Sequence, residues 1–350
     1  MQRLLQVLFI LFLFSLNVQA QEENKETVVP KEHKFRIFNP IDTTYISNNL
    51  YNLTFMLEHS TWYEHYQLNT YSDTHSQYLN FSPNLGTKVG VYFGWRWIFL
   101  GVNFDIENLF NKKDKGTKKT ETSLNIYSNK FGVDLYYRKT GKDFKLRSHE
   151  GFDLPNSSAL ENMHFDGMSS NILGLHTYWI FNHEQFSYPA VYSQSTNQRK
   201  NAGSFIAGFN FSRHKISFDY EKLPPEIIEQ LNPNLKFNHI QYSDYSLGFG
   251  YGYNWVFAKN WVTNLSILPS IGYKKSKIDE NDFRDESWVK DINFNLITRA
   301  GITYNNAKYF VGASVVLNTY DYRRPPLSVT NSFGTLRIYA GFNFWKRKNK

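Results

Sequence analysis

The stretch "YSLGFGYGYNWVF", Tyr245 to Phe257, interleaves two different sequences. Its odd positions are Tyr245, Leu247, Phe249, Tyr251, Tyr253, Trp255 and Phe257, and its even positions from Ser246 to Asn254 are Ser, Gly, Gly, Gly and Asn. Strict period-2 alternation over this length is a strand, because successive side chains of an extended chain point to opposite faces. One face is a continuous aromatic wall and the other is almost bare. A strand packed on one side in a soluble sheet needs polar residues on its far side, not absent ones. The pattern fits a strand whose bulky face meets lipid and whose small face lines a confined interior.

The same alternation recurs along the chain. "WIFLGVNFDIE" sets Ile98, Leu100, Val102, Phe104 and Ile106 against Gly101, Asn103 and Asp105. "DINFNLITRAGITY" and "TLRIYAGFNFW" follow the rule, with Arg299 and Arg337 on the small or polar face. Strands are expected near 50–58, 84–95, 97–107, 122–138, 169–181, 203–212, 215–221, 241–257, 260–275, 288–304, 307–320 and 331–345. The first competes with "TWYEHYQLNTY" (Thr61 to Tyr71), and a phase change inside 122–138 suggests a bulge near Ser128 and Asn129. The count is about twelve, with ten or fourteen as alternatives, and an antiparallel closed barrel favours an even number. Tight connections are expected at Gly94–Arg96, Ser212–His214, Ala258–Lys259 and Asn305–Asn306. Long ones fall at 108–121, 182–202, 222–240, 276–287 and 321–330. The segment 139–168 breaks this alternation of short and long, as a lumen plug or a missed strand pair would. One helical scrap, "LPPEIIEQL" (Leu223 to Leu231), sits inside a long connection.

Bulk properties agree. Of 350 residues, 18% are aromatic, with 24 Tyr and 30 Phe, yet mean hydropathy is only −0.50. That excludes a bundle of membrane helices and leaves strands that disperse their apolar residues. Near the start, Arg3 precedes "LLQVLFILFLFSLNV" and then "VQA" before Gln21, the layout of a secretory signal peptide. We therefore expect residues 1–20 to be a signal, 21–40 a polar periplasmic linker, 41–345 the barrel and 346–350 a basic tail. There is no Cys, so disulfides and thiol ligands are excluded. The formal charge is +8, which on an exported chain points to anionic lipid surfaces, lipopolysaccharide included, and not to nucleic acid.

Two further features favour a membrane barrel over a sandwich. Trp95, Trp97, Trp255, Trp261, Tyr304, Tyr309 and Trp345 gather at the expected short turns, as an aromatic girdle in the headgroup zone would. A ten-residue strand tilted by about 45° rises roughly 23 Å, close to an outer-membrane apolar band. The reading is an all-β fold, a transmembrane antiparallel up-and-down β-barrel in the cell outer membrane.

The final strand "YAGFNFW" (Tyr339 to Trp345) resembles the aromatic terminal signal read by the barrel-assembly machinery, although "KRKNK" follows it. The succession "FNPIDTTYISNNLYNLTF", "FSPNLGTKVGVYFGW" and "LRIYAGFNF" is similar to a Bacteroidota-type outer-membrane barrel family without established activity, over most of residues 38–345. The resemblance implies fold and location only.

Chemistry-bearing motifs are few. No His-x-Ser pair is present, so the barrel-lipase arrangement of base and hydroxyl is missing. "DENDFRDES" (Asp279 to Ser287) lacks the glycine-centred spacing of a calcium loop, and no phosphate loop or zinc spacing occurs. No enzyme activity, metal or cofactor is expected. Inward parity selects Lys88, Asp105, Asp134, His176, Asp219, Asp291, Arg299 and Arg337 as lumen-lining polar residues. Mixed charges in a confined barrel brace its walls or set the selectivity of a passage. The expected function is a narrow channel or transporter for small polar solutes. The alternative is a structural or interaction barrel with a filled lumen, working through its extracellular loops.

Overall fold

A computed structural model describes residues 41–70, 76–95, 98–105, 119–154, 160–278, 292–324 and 326–346. The signal, the linker, Trp97, Asp291 and the acidic stretch at 279–287 lie outside these. All described residues belong to one compact unit, Phe38–Lys350, and it is all-β and antiparallel. Its strands are β1 (Ile46–Asn48), β2 (Tyr51–Thr70), β3 (Gln77–Pro83), β4 (Gly86–Trp95), β5 (Ile98–Asp105), β6 (Lys119–Tyr127), β7 (Phe131–Thr140), β8 (Phe144–Glu150), β9 (Met163–Phe165), β10 (Met168–Ile180), β11 (Thr196–Gln198), β12 (Ala202–Phe218), β13 (His239–Ala258), β14 (Trp261–Ile278), β15 (Ile292–Asn305), β16 (Tyr309–Arg324) and β17 (Leu327–Lys346). Two short helices, α1 (Pro189–Tyr192) and α2 (Pro225–Gln230), interrupt the connections. No described helix is long and apolar enough to cross a membrane.

The wall is hydrogen-bonded in the order β6-β7-β10-β12-β13-β14-β15-β16-β17-β2-β4-β5. The first and last strands of the chain's wall meet along their length, from Leu327↔Thr70 to Lys346↔Tyr51. No ladder joins β5 to β6 among the described residues. Their neighbourhoods nevertheless approach: Lys88 on β4 reaches Glu121 on β6 at 3.2 Å. Near the long loops, β2 also pairs with β3 and β3 with β8. Because β8 follows β7 in the chain, the sheet returns on itself at that level.

Burial follows parity. Along β12 every even position from Ala202 to Phe218 is buried, and every odd position between them is partly or fully exposed. On β13 the opening stretch presents Leu247 at 68% and Phe249 at 58% exposure, while Ser246 and Asn254 are buried. Glycine on the inner side is a packing requirement at some points: a Cβ on Gly174 or Gly132 would lie within 2.5 Å of the rings of Tyr136 and Tyr178 respectively.

Two expected connections are misassigned, and the errors offset one another. Ser128–Lys130 is a turn, with the Ser128 amide donating to the Phe131 carbonyl at 3.0 Å and the Ser128 hydroxyl accepting from the Phe131 amide. The phase change read as a bulge is the reversal of a hairpin. Conversely, Ser212–His214 is no turn, and β12 runs straight through it. Between these points the expected orientation is inverted. Segment 181–201 therefore emerges at the short-turn rim and 141–167 at the long-loop rim. The remaining differences are extensions: β2 continues from the first expected strand through the competing one to Thr70, and β16 and β17 consume most of 321–330. Seventeen strands are described where about twelve were expected. The five short ones, β1, β3, β8, β9 and β11, decorate the rims.

Candidate functional site

The inner face is not lined but filled, in three layers. Its middle layer holds the charges. His176 on β10 and Asp134 on β7 are register partners, with His176 Nδ1 3.4 Å from Asp134. Arg299, four ladders away on β15, crosses the interior to pair with Asp134 and lies 3.1 Å from His176 Nδ1. Tyr178 covers the group, its ring tilted 5.1 Å from that of His176 and 5.3 Å from the guanidinium. All three charged or titratable side chains are buried. An isolated buried charge is very costly, so the pairing holds β7, β10 and β15 together through the interior.

Similar constellations surround it. Glu121 on β6 accepts from Arg138 at 2.7 Å and pairs with Lys88. Arg138 lies between Trp62 and Phe333, 5.3 and 4.9 Å from their rings, and donates to Thr335 on the far wall at 2.6 Å. Asp244 accepts from Asn293 and, at 2.8 Å, from Asn295. Lys274 sits 4.9 Å from both Tyr242 and Tyr322 and donates to the Asp321 carbonyl. Glu64 accepts hydroxyl hydrogens from Tyr66 at 2.9 Å, Thr140 at 2.5 Å and Ser170 at 2.6 Å.

At the long-loop rim the interior is apolar. Tyr66, Leu68, Leu79, Phe81, Phe144, Leu146, Phe165, Phe218, Ile227, Leu235 and Val329 form the centre of one buried cluster. It is built by the upper part of β2, by β3, β8 and β9, and by the 219–238 connection with α2. Phe81, Phe165 and Phe218 meet as a ring triad, with centroids 5.1–5.7 Å apart. This is a cap. At the short-turn rim, segment 181–201 turns inward and α1 enters the lumen. Phe186, Tyr188, Val191 and Tyr192 are buried against Tyr178, Ile206, Val262, Leu268 and Ile297. Tyr192 donates to Asn264 at 2.7 Å, Tyr339 to the Val191 carbonyl at 2.7 Å, and Asn254 to the Ser187 carbonyl at 2.9 Å. The ribbon of β1 and β11 ties the chain before β2 to this plug.

Of the expected lumen residues, Asp134, His176 and Arg299 come together. Lys88 joins Glu121, and Arg337 faces Glu58 at 3.9 Å. Asp105 is the register partner of Lys88. Asp219 is not in the lumen: it follows the last residue of β12, off the buried parity, and its amide donates to the Gly167 carbonyl in the cap. Placing a turn at 212–214 put it on a strand that does not exist. Asp291 lies outside the described residues. Glu58, Glu64, Glu121, Arg138, Asp244 and Lys274 were missed, although each shares parity with a recognised inward neighbour. Segment 139–168, expected as a plug or a missed strand pair, holds the antiparallel pair β8 and β9, and the inserted segment is 181–201.

The expected girdle residues Trp95, Trp255, Trp261, Tyr304, Tyr309 and Trp345 all lie at strand ends on the short-turn rim. Trp255, Phe257, Trp261 and Tyr304 form a chain of rings with centroids 5.4–6.0 Å apart. Among the described residues no group of three or more His, Cys, Asp and Glu is arranged to hold a metal.

A family model described as Domain of unknown function (DUF4421) matches residues 40–344. No curated protein matches the chain in sequence. Solved structures similar to it include the outer membrane protease OmpT of Escherichia coli, at 9% identity and TM-score 0.34, covering 85% of this chain and 98% of that one. The translocator domain of the autotransporter NalP of Neisseria meningitidis is similar at 8% identity and TM-score 0.30, over 84% and 88%. The toluene transporter TodX of P. putida follows at 8% and 0.21, over 85% and 91%.

Proposed function

The chain belongs to the family Domain of unknown function (DUF4421), and from its own geometry we propose that it is a sealed, non-enzymatic outer-membrane β-barrel that works through its loop-built cap. In this reading β5 and β6 close the wall, because open edge groups in hydrocarbon cost several kcal/mol each. The outer face supports the membrane assignment. From Tyr245 to Phe257 on β13, from Trp261 to Tyr273 on β14 and from Ile292 to Tyr304 on β15, no outward position is charged. Exposed Leu247, Phe249, Ile267, Ile271 and Phe294 sit in that belt. Thirteen residues at about 45° tilt span about 28 Å, enough for the apolar band of an outer membrane. So large an exposed apolar surface marks a lipid contact.

The observation that carries the sealed reading is the filling of the interior at all three levels: cap, charged layer and plug. It disfavours a standing passage for small polar solutes. His176, the inward histidine, is held between Arg299 and Asp134 beneath a tyrosine, which suits bracing and not proton transfer to a substrate. The cap is then the part of the barrel free to meet a partner outside the cell.

Planar-bilayer recording on the refolded full-length chain tests the proposal. Insertion without steady current is the expected result. A stable ohmic conductance in the unmodified protein would sink the sealed reading, and recovery as a detergent-free soluble monomer would sink the membrane assignment.

A further inference from the structure

Above the apolar belt, the outward positions of β7, β12 and β14 turn basic. Lys139 on β7, Asn171 on β10, Lys215 on β12 and Gln241 on β13 share one register row. The next row towards the belt holds Tyr137, Leu173, Arg213, Ser243 and Lys275 on the same strands and β14. The row below that is Leu175, Phe211, Tyr245 and Tyr273, where the belt begins. Lys139, Arg213, Lys215 and Lys275 are exposed, and none forms an ion pair with a described residue at 4 Å or less. With strands about 4.8 Å apart, Lys139 and Lys215 lie roughly 10 Å from one another, as do Arg213 and Lys275, and the two on β12 are about 7 Å apart. Asn171 stands between the first pair, donating to Tyr137 at 3.2 Å.

The opposite side differs. On β16, β17 and β2 the outward positions beyond the belt are Thr319, Ser332, Thr330, His65 and Gln67. Thr319 and Ser332 bond to one another at 3.2 Å, and the arginine there, Arg323, pairs with Asp321 at 2.5 Å. On β8, which joins β2 through β3, Arg147 is taken up by Ser82, Asn162 and the Pro83 carbonyl, so the exposed cations of β7, β12 and β14 differ from it in having no such partners among the described residues.

Four unpartnered cations at headgroup depth, spread over β7, β12 and β14 and interleaved with amide and hydroxyl donors, match a ligand with more than one phosphate whose acyl chains lie on the belt below. We propose that the outer wall of β7, β10, β12, β13 and β14 binds a phosphorylated glycolipid of the leaflet on the long-loop side, through Lys139, Arg213, Lys215 and Lys275. Lysine supplies point charges and arginine a two-pronged contact to phosphate oxygens, while Tyr245, Tyr273 and Phe211 receive the start of the chains. The patch rests on the membrane-barrel reading above but not on the lumen being sealed.

The test uses the refolded full-length chain in phosphatidylcholine vesicles doped with either a diphosphoryl glycolipid or phosphatidylglycerol, followed by mild extraction and native mass spectrometry of retained lipid. The unmodified chain is expected to keep the glycolipid in preference to phosphatidylglycerol. The combined variant Lys139→Gln, Arg213→Gln, Lys215→Gln, Lys275→Gln should keep about tenfold less of it or weaker still, while Lys308→Gln with Lys346→Gln at the other rim keeps as much as the unmodified chain. Inorganic phosphate in solution should compete poorly, since it lacks the chains. Equal retention by the fourfold variant, equal loss in the short-turn-rim variant, or no preference between the two anionic lipids overturns the assignment. Failure of the unmodified chain to float with vesicles at all overturns the barrel reading and this one with it, which separates the two.

Discussion

The two ends of the interior are stopped by different chemistry. The cap at the long-loop rim is an apolar core of the kind that a soluble domain builds, with Phe81, Phe144, Phe165 and Phe218 almost fully buried. The plug at the short-turn rim is a short inserted segment in which two of the three buried rings, Tyr188 and Tyr192, carry hydroxyls, and whose backbone carbonyls at Ser187 and Val191 accept from the wall. The cap draws its free energy from area removed from water, about 25 cal/mol per Å². The plug enters a polar lumen, where each ring must find a hydrogen-bond partner to avoid stranding a polar group. One end is therefore held by packing and the other by matched donors and acceptors. A removable seal is easier to build the second way, because neutral hydrogen bonds exchange readily for bonds to water.

If both ends seal, they do so in series, and that gives the largest expected effect. Replacing residues 186–195 with a Gly-Ser linker should leave the barrel electrically silent, because the cap still closes it. Shortening the 222–237 connection as well, with Arg138→Ala and Arg299→Ala to open the charged layer between the two ends, should give a steady current in planar bilayers. Current from the plug replacement alone would show that the cap is porous and would break the symmetry of the comparison.

Next in size is the cap core itself. Phe218→Ala removes a ring that touches Phe81, Phe165 and Phe237 at centroid distances of 5.1–5.7 Å. Loss of a buried phenyl costs about 3–5 kcal/mol, measured as a shift in the urea midpoint of reversible refolding in vesicles. A cost below about 1 kcal/mol would mean that the cap relaxes around the hole and is no true core. In the plug, Tyr192→Phe removes the hydroxyl donor to Asn264 and keeps the ring stacked on Tyr127 at 5.8 Å. The expected cost is about 1 kcal/mol in the same assay. A loss as large as that at Phe218 would erase the proposed distinction between the ends.

Sequence made the wall legible and the interior much less so. Alternation names the outward face of β13, β15 and β17 residue by residue, because a strand with one buried face makes the same demand on every second position. It cannot tell a turn from a bulge when both shift the phase, which is why Ser128–Lys130 passed for a bulge. Nor can it see that "SRHKISF" (Ser212 to Phe218) continues a strand: Arg213 and Lys215 break the apolar run of the outward face while the buried inward parity runs on unbroken to Phe218. The charged layer was half visible. Asp134, His176 and Arg299 follow from parity, but their meeting depends on which strands face each other across the interior. The plug left no clear signal, since "YPAVYSQSTNQ" reads as an ordinary loop until a lumen surrounds it.

The smallest expected effect concerns the cap's surface, where the packing argument should fail. Asp166, in the turn between β9 and β10, is 3.0 Å from Lys222, and the pair pins the 219–238 connection against that turn. The hydrogen bond from Lys222 holds the Asp166 carboxyl below its ordinary pKa, against a lesser opposing push from burial. A depressed carboxylate pKa contributes stability above the unfolded-state value, near 4, and loses it as pH falls through the folded value. Both side chains are well exposed, at 54% and 35%, so solvent and salt screen the interaction to less than about 1 kcal/mol. Lys222→Met should therefore shift the refolding midpoint slightly at pH 7 and progressively less as pH falls below about 4, and the difference should shrink in high salt. If Lys222→Met cost as much as Phe218→Ala, the cap would be an electrostatic latch with an apolar interior of secondary importance. Its resemblance to a soluble core, and the contrast with the plug, would then be wrong.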